Sequence, residues 1–207
     1  MFPYEIESGK SRFSRTEILH LAIATVLFTA VIASWLTEGF TKLEITVFGL
    51  IAFFVLTSAA FILHEIAHKF KAQSYGCWSE FRLHPQGVLI TLITLALGFG
   101  IIAPGATMIA GYPDKEGMGK IALSGPLTNL FMAGFFLIIY PIFPTIAWFG
   151  AFFNAILAVF NLLPFFVLDG KKVLEWNSYV WSAVFFLVLS LVVYMVVVLP
   201  IESLSDL

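Results

Sequence analysis

Long apolar runs separated by short clusters of charge set the layout of the chain. A helix needs about 20 mostly apolar residues to cross a bilayer, because each residue rises about 1.5 Å through a hydrocarbon layer about 30 Å thick. Five stretches meet that length. Residues 18–36 form the first and 45–63 the second, which runs without a break into His64-Glu65-Ile66-Ala67-His68. From Ile121 to Leu168 no residue is charged, leaving room for two spans, and Pro141 and Pro144 mark the break between them. Residues 176–201 supply the fifth. A cleaved secretory leader accounts poorly for the first run, since acidic residues stand in its N-terminal flank and no small-residue cleavage site is evident before Trp35.

The stretch 85–113 is uncharged, but Gly87, Gly98, Gly100, Pro104, Gly105 and Gly111 punctuate it. Its best apolar run, Val88 to Ala103, is short for a span. Two pieces, 88–94 and 106–110, are rich in β-branched residues and read as a strand pair or re-entrant loop. Backbone of that kind survives at membrane depth only where protein or a wet cavity satisfies its polar groups. Cytoplasmic loops hold the excess of Lys and Arg, so charge decides between the two topologies. If 85–113 spans, six basic residues lie on one side and five on the other; if it is re-entrant, the division is ten to one, with Lys42 alone opposite. The expected fold is therefore an all-α polytopic membrane protein with five full transmembrane helices plus a re-entrant or β-hairpin segment around 85–113, with six spans as the alternative. The N-terminus faces the cytoplasm, and 69–119 is an excursion on that side.

Composition agrees. Of 207 residues, 60% are hydrophobic and 12% charged, against about 25% charged in a soluble domain, and the mean hydropathy is +0.97. An ordinary soluble enzyme is excluded. Eleven basic against thirteen acidic residues give a net charge of −2, so no basic surplus exists to neutralise nucleic-acid phosphates. The single cysteine, Cys77, allows neither an internal disulfide nor a thiolate cluster, and any metal site must use His and carboxylates. The length suits one membrane-embedded domain over 1–207.

Ionisable side chains in an apolar segment are costly and mark candidate functional sites. His64 and His68 are four apart, which puts both imidazoles on one helical face, able to grip one metal ion. Glu65 lies one position on and can reach a metal-bound water. This is the His-Glu-x-x-His pattern of zinc hydrolases. With four His and ten Glu in the chain, its chance occurrence is about 0.4%; the plainer alternative is a polar helix end with histidines satisfied by backbone or water. A catalytic zinc usually takes a third protein ligand. Among the three aspartates, Asp114 lies in a charged loop, Asp206 is at the C-terminus, and Asp169 ends the uncharged block. Asp169 has the right depth, although a turn carboxylate beside Gly170 and Lys171 is the alternative. His20, at the start of the first span, and His84, before Pro85, compete as ligands but suit a headgroup boundary and a turn. Asn129, Asn154 and Asn161 also lie in the apolar block. Asn161 precedes Asp169 by about two helical turns, and its amide could hold a substrate carbonyl; packing between helices would serve as well, above all for Asn154.

Taken together, His64-Glu-Ile-Ala-His68 at the end of a span, Gly125-Pro-Leu-Thr-Asn129 opening the next, and Asn161-Leu-Leu-Pro164-Phe-Phe-Val-Leu168-Asp169-Gly170 resemble the site-2 protease family of intramembrane zinc metalloproteases. The motifs cover a core of about 45–172. The resemblance implies one Zn2+ per chain held by His64, His68 and Asp169, with Glu65 as general base and Asn161, together with Asn129, as substrate contacts. It also implies a transmembrane protein substrate in the lipid bilayer, and a multi-pass protein of the cell membrane whose active site faces the cytoplasm. Members often add a PDZ or CBS module, for which this chain has no room. Many also have a membrane-associated strand region between the first two motifs, where 85–113 stands.

The expected chemistry is hydrolysis of peptide bonds in or near transmembrane segments, with an unwound substrate pairing to a strand edge at 88–94 or 106–110. A membrane transporter or channel, with a His/Asp path for metal or protons, is the reading from another class. A prenyl-protein type of zinc peptidase would need a downstream glutamate ligand, and Glu80, Glu116 and Glu175 read as loop residues. Desaturase-like chemistry needs many more histidines than four.

Overall fold

With no water to satisfy main-chain amides in a bilayer, an apolar run must close its hydrogen bonds within itself, and the long runs do so as helices. The computed structural model describes residues 13–39, 47–98 and 104–199. In chain order these form α1 (Arg15–Gly39), α2 (Val47–Ser74), β1 (Trp78–Leu83), α3 (Pro85–Ala96), β2 (Gly105–Ala110), α4 (Lys115–Ile139), α5 (Pro144–Leu162), α6 (Asp169–Trp176) and α7 (Ser178–Val198). Helices α1, α2, α4, α5 and α7 are long and apolar enough to cross a membrane. The chain is thus a multi-pass, all-α membrane protein carrying one small two-stranded sheet.

The expected break between the third and fourth spans falls where the prolines put it. Helix α4 ends at Ile139, and α5 begins with Pro144 in its first turn, where the missing N–H of proline is not needed. Helix α3 has 12 residues and rises only about 18 Å, so the six-span alternative is not what the described residues form.

One expectation is corrected. Residues 88–94 are not a strand but the middle of α3, which starts at Pro85 after an extended N-cap at His84. That start signal outweighs the β-branching, and Thr94 removes its own polar cost by donating to the Ile90 and Thr91 carbonyls at 2.8 and 3.2 Å. The partner of β2 is β1, within what reads in sequence as a charged loop. The strands are antiparallel, with Trp78 opposite Ala110, Phe81 opposite Thr107 and Leu83 opposite Gly105. Their alternation is real: Ser79 and Phe81 are buried, while Glu80 and Arg82 pair with each other on the other face.

A sheet of two strands has two margins. On β1, the outward N–H groups of Phe81 and Leu83 donate to Glu17 Oε1 and His20 Nδ1 of α1, at 3.1 and 3.2 Å. Glu17 and His20 lie three residues apart, one turn of a helix, so one face of α1 seals that margin. Buried Glu17 is charge-paired with equally buried Lys69, whose ammonium also lies 4.5 Å from the centre of the Phe13 ring. The margin of β2 faces α2. Helices α4 and α5 approach through small side chains, Ala133, Ala155 and Ala158 among them, as close helix packing in membranes requires.

Candidate metal centre

Three segments distant in sequence deliver three side chains to one point. Helix α2 presents His64 and His68 from its C-terminal half, both buried. Asp169, also buried, is the first residue of α6. The chain reaches that position because Pro164 follows the end of α5 and α6 then returns against it. A Cβ on Gly170 would overlap the Leu162 carbonyl oxygen and stand 2.7 Å from that of Leu163, so only glycine lets α6 sit this tightly.

The nitrogens and the carboxylate converge closely. His64 Nε2 and His68 Nε2 are 3.0 Å apart, and they lie 3.3 and 3.0 Å from Asp169 Oδ2. Among the described residues these three form the one group of His, Cys or acidic side chains with metal-binding spacing. Tetrahedral zinc with ligands at about 2.05 Å separates them by about 3.3 Å, close to the edges observed.

Proton placement makes the same point. Asn154 Nδ2 donates to the Gly150 carbonyl at 2.8 Å, so Asn154 Oδ1 is free to accept from Asn129 Nδ2 at 2.9 Å. Asn129 Nδ2 also donates to the Ala60 carbonyl at 3.0 Å, which turns Asn129 Oδ1 toward His64 Nδ1 at 2.5 Å. His64 Nδ1 therefore carries the proton, and its Nε2 carries a lone pair. His68 Nδ1 faces the Ile121 carbonyl at 2.8 Å, with the same consequence. Two lone pairs and a carboxylate oxygen thus meet with no proton between them, an arrangement that fits a cation. Gly125 leaves the cradle open: a Cβ there would stand 2.6 Å from His64 Nε2 and closer still to His68 Nε2. The residues present therefore fit zinc.

Glu65 is near but not part of this group. Its Oε2 accepts from Thr107 N at 3.2 Å and from Thr107 Oγ1 at 2.9 Å. Asn161 is half-buried, and its Nδ2 donates back to the Leu157 carbonyl at 3.0 Å. Asn129 is fully buried with its amide bonded within the protein. Asp114 caps α4 through Gly117 N at 2.7 Å, His20 binds β1, and His84 stands at the N-cap position of α3 without a side-chain cap bond; none of the three joins the group formed by His64, His68 and Asp169, and Asp206 lies outside the described residues. Glu80, Glu116 and Glu175, read in sequence as loop residues, are instead in β1, in the first turn of α4 and in α6, and none joins the histidines. Sequence reading gave no individual role to Thr107 or Gly125, which it met only within a strand candidate and a motif, and it took Asn154 as helix packing rather than as part of the chain of bonds to His64. The available signals were a lone hydroxyl in the strand Gly-Ala-Thr-Met-Ile-Ala and a Gly-Pro pair inside a 25-residue helix.

A buried His-His-Asp trio inside a five-span bundle defines the class: a membrane protein built to hold a divalent metal. Two proteins of Methanocaldococcus jannaschii narrow it. One, provisionally named a zinc metalloprotease, is 40% identical over 192 residues, covering 89% of this chain and 96% of that protein. The other, named a zinc metalloprotease, is 28% identical over 168 residues, which are 76% of this chain but 41% of that relative, so the chain spans about two fifths of its length. No family model matches, and no solved structure does. The chain belongs to the zinc metalloprotease family.

Proposed function

We propose that this protein is an intramembrane zinc metalloprotease of the site-2 protease type, hydrolysing peptide bonds in or near transmembrane segments of membrane-protein substrates. The observation that carries the reading is the convergence of His64 Nε2, His68 Nε2 and Asp169 Oδ2 within 3.0–3.3 Å, one residue from Glu65 in a helix long enough to span a bilayer. His64, His68 and Asp169 would hold one zinc ion. When bound, zinc supplies Lewis acidity, which lowers the pKa of water towards about 7 and polarises a carbonyl. Glu65 is the general base: its carboxylate takes a proton from the attacking water and returns it to the leaving amine. Asn129 orients His64 by accepting from its Nδ1, and Asn161 is the candidate to hold the substrate. The Lys and Arg distribution supports an N-terminus and a site on the cytoplasmic side of the cell membrane, where the scarce reactant, water, is available.

A helical substrate hides its carbonyls in i to i−4 bonds and must unwind before attack. The outer margin of β2 supports docking of the extended segment, with main-chain bonds replacing the helical ones. Metal analysis of the purified protein beside Asp169→Ala and Glu65→Gln, with cleavage of a transmembrane peptide followed in parallel, tests the whole reading. Asp169→Ala loses zinc and cleavage together; Glu65→Gln keeps zinc and loses cleavage. Full zinc occupancy in Asp169→Ala removes the third ligand, and undiminished turnover in Glu65→Gln removes the hydrolase.

A further inference from the structure

The general base is held on the very backbone group that an incoming strand needs. Residues opposite one another in an antiparallel pair point their N–H and C=O groups either both toward the partner or both away. Phe81 sends its N–H outward to Glu17, and Thr107 is opposite Phe81. Thr107 must therefore also point its main-chain groups away from β1, and its N–H indeed meets Glu65 Oε2 at 3.2 Å. The Thr107 hydroxyl lies 2.9 Å from the same oxygen and 3.2 Å from the Glu65 carbonyl. It has one proton to give, and the shorter bond to the charged acceptor is the stronger. The Glu65 carboxylate thus occupies the place on the margin of β2 where a carbonyl of a third strand would sit.

We propose that Thr107 is a positioning residue that parks Glu65 until substrate arrives. An extended substrate segment pairing with β2 places its own carbonyl on Thr107 N–H and so displaces one of the two bonds to Glu65. The hydroxyl swings with the carboxylate and keeps its bond to Glu65 Oε2 as that oxygen moves off the N–H, while the other carboxylate oxygen turns to water. Substrate docking and release of the base are then one event, and an empty site has its base engaged elsewhere. This rests on the protease reading above and adds to it an order of steps.

Two catalytically silent variants separate the docking claim from turnover. In the zinc-loaded protein, Glu65→Gln keeps a side-chain carbonyl able to accept from Thr107 N–H, whereas Glu65→Ala vacates the margin. A fluorescently labelled single-span transmembrane peptide, in detergent micelles, is expected to bind Glu65→Ala about three- to tenfold more tightly than Glu65→Gln, the size of one exchanged neutral hydrogen bond. Equal affinities, or tighter binding to Glu65→Gln, overturn the displacement. In the active protein, Thr107→Val retains the N–H and the β-branched shape but deletes the hydroxyl. It is expected to lower kcat about tenfold with KM and zinc content unchanged, and Thr107→Ser is expected to restore kcat. A rise in KM with kcat intact, or no rescue by serine, overturns the positioning role. Failure of either arm leaves the protease reading standing if Glu65→Gln still holds zinc and does not cleave; loss of zinc dependence defeats that reading instead.

Discussion

Replacing Gly125 by alanine adds one methyl group at the most confined point of the metal centre. The new Cβ would stand 2.6 Å from His64 Nε2, whereas ordinary contact begins at 3.4 Å, so the ring must retreat by about 0.8 Å, the difference of the two. Metal–ligand distances tolerate about 0.2 Å. His68 Nε2 is pressed harder still, so both imidazoles leave bonding range, or the methyl occupies the cation's seat. We expect zinc affinity to fall at least about a hundredfold, which is about 2.8 kcal/mol at 1.4 kcal/mol per factor of ten. The helix itself should not suffer, since alanine is favoured over glycine in a helix interior by about 1 kcal/mol. Competition with a fluorescent zinc chelator gives the affinity, and circular dichroism in the same detergent reports the fold. Gly134→Ala, on the same helix but with no neighbour within 4 Å of the added carbon, should bind zinc as the parent does. A Gly125→Ala protein with parental zinc affinity would refute the placement of the ion between these two rings.

Asn129→Leu deletes the acceptor for His64 Nδ1 and is expected to weaken zinc binding by about 10- to 100-fold while the bundle still forms; unchanged affinity in the chelator assay counts against the relay through Asn154. Lys69→Met strands Glu17 as a buried, unpaired charge and should cost about 3–5 kcal/mol, read as a lowered unfolding midpoint. Adding Glu17→Gln, which keeps an acceptor for Phe81 N–H, should recover most of that loss, and a single variant as stable as the parent contradicts the pairing. Ile109→Pro removes an N–H that the strand register turns away from β1, so cleavage of a transmembrane peptide should fall with zinc content intact; undiminished cleavage would show that no substrate strand uses that margin.

What the sequence made legible follows from rules with a single variable. Spans were readable because bilayer thickness fixes their length, and uncharged runs such as 121–168 advertise themselves. The His64–His68 pairing was readable because helical periodicity alone puts i and i+4 side by side. Asp169 stood out by depth, and the structure brings it to the histidines. Strand β1 was missed because the alternation of Glu80 and Arg82 with Ser79 and Phe81 resembles a charged loop when its covering helix is unseen. The 88–94 segment was misread because β-branched composition was weighed above the Pro85 start signal. The Asn129 bond to His64 and the Thr107 bonds to Glu65 join residues 65 and 42 positions apart. No local pattern encodes such meetings; they exist only once α2, α4 and β2 are packed.

The side chains of Glu17 and His20 close one flank of the ribbon to any further main-chain partner. Growth of that ribbon is thereby one-sided. Whatever extended polypeptide joins it has a single berth, alongside the paired imidazoles, and two copies of the protein cannot zip together through β1.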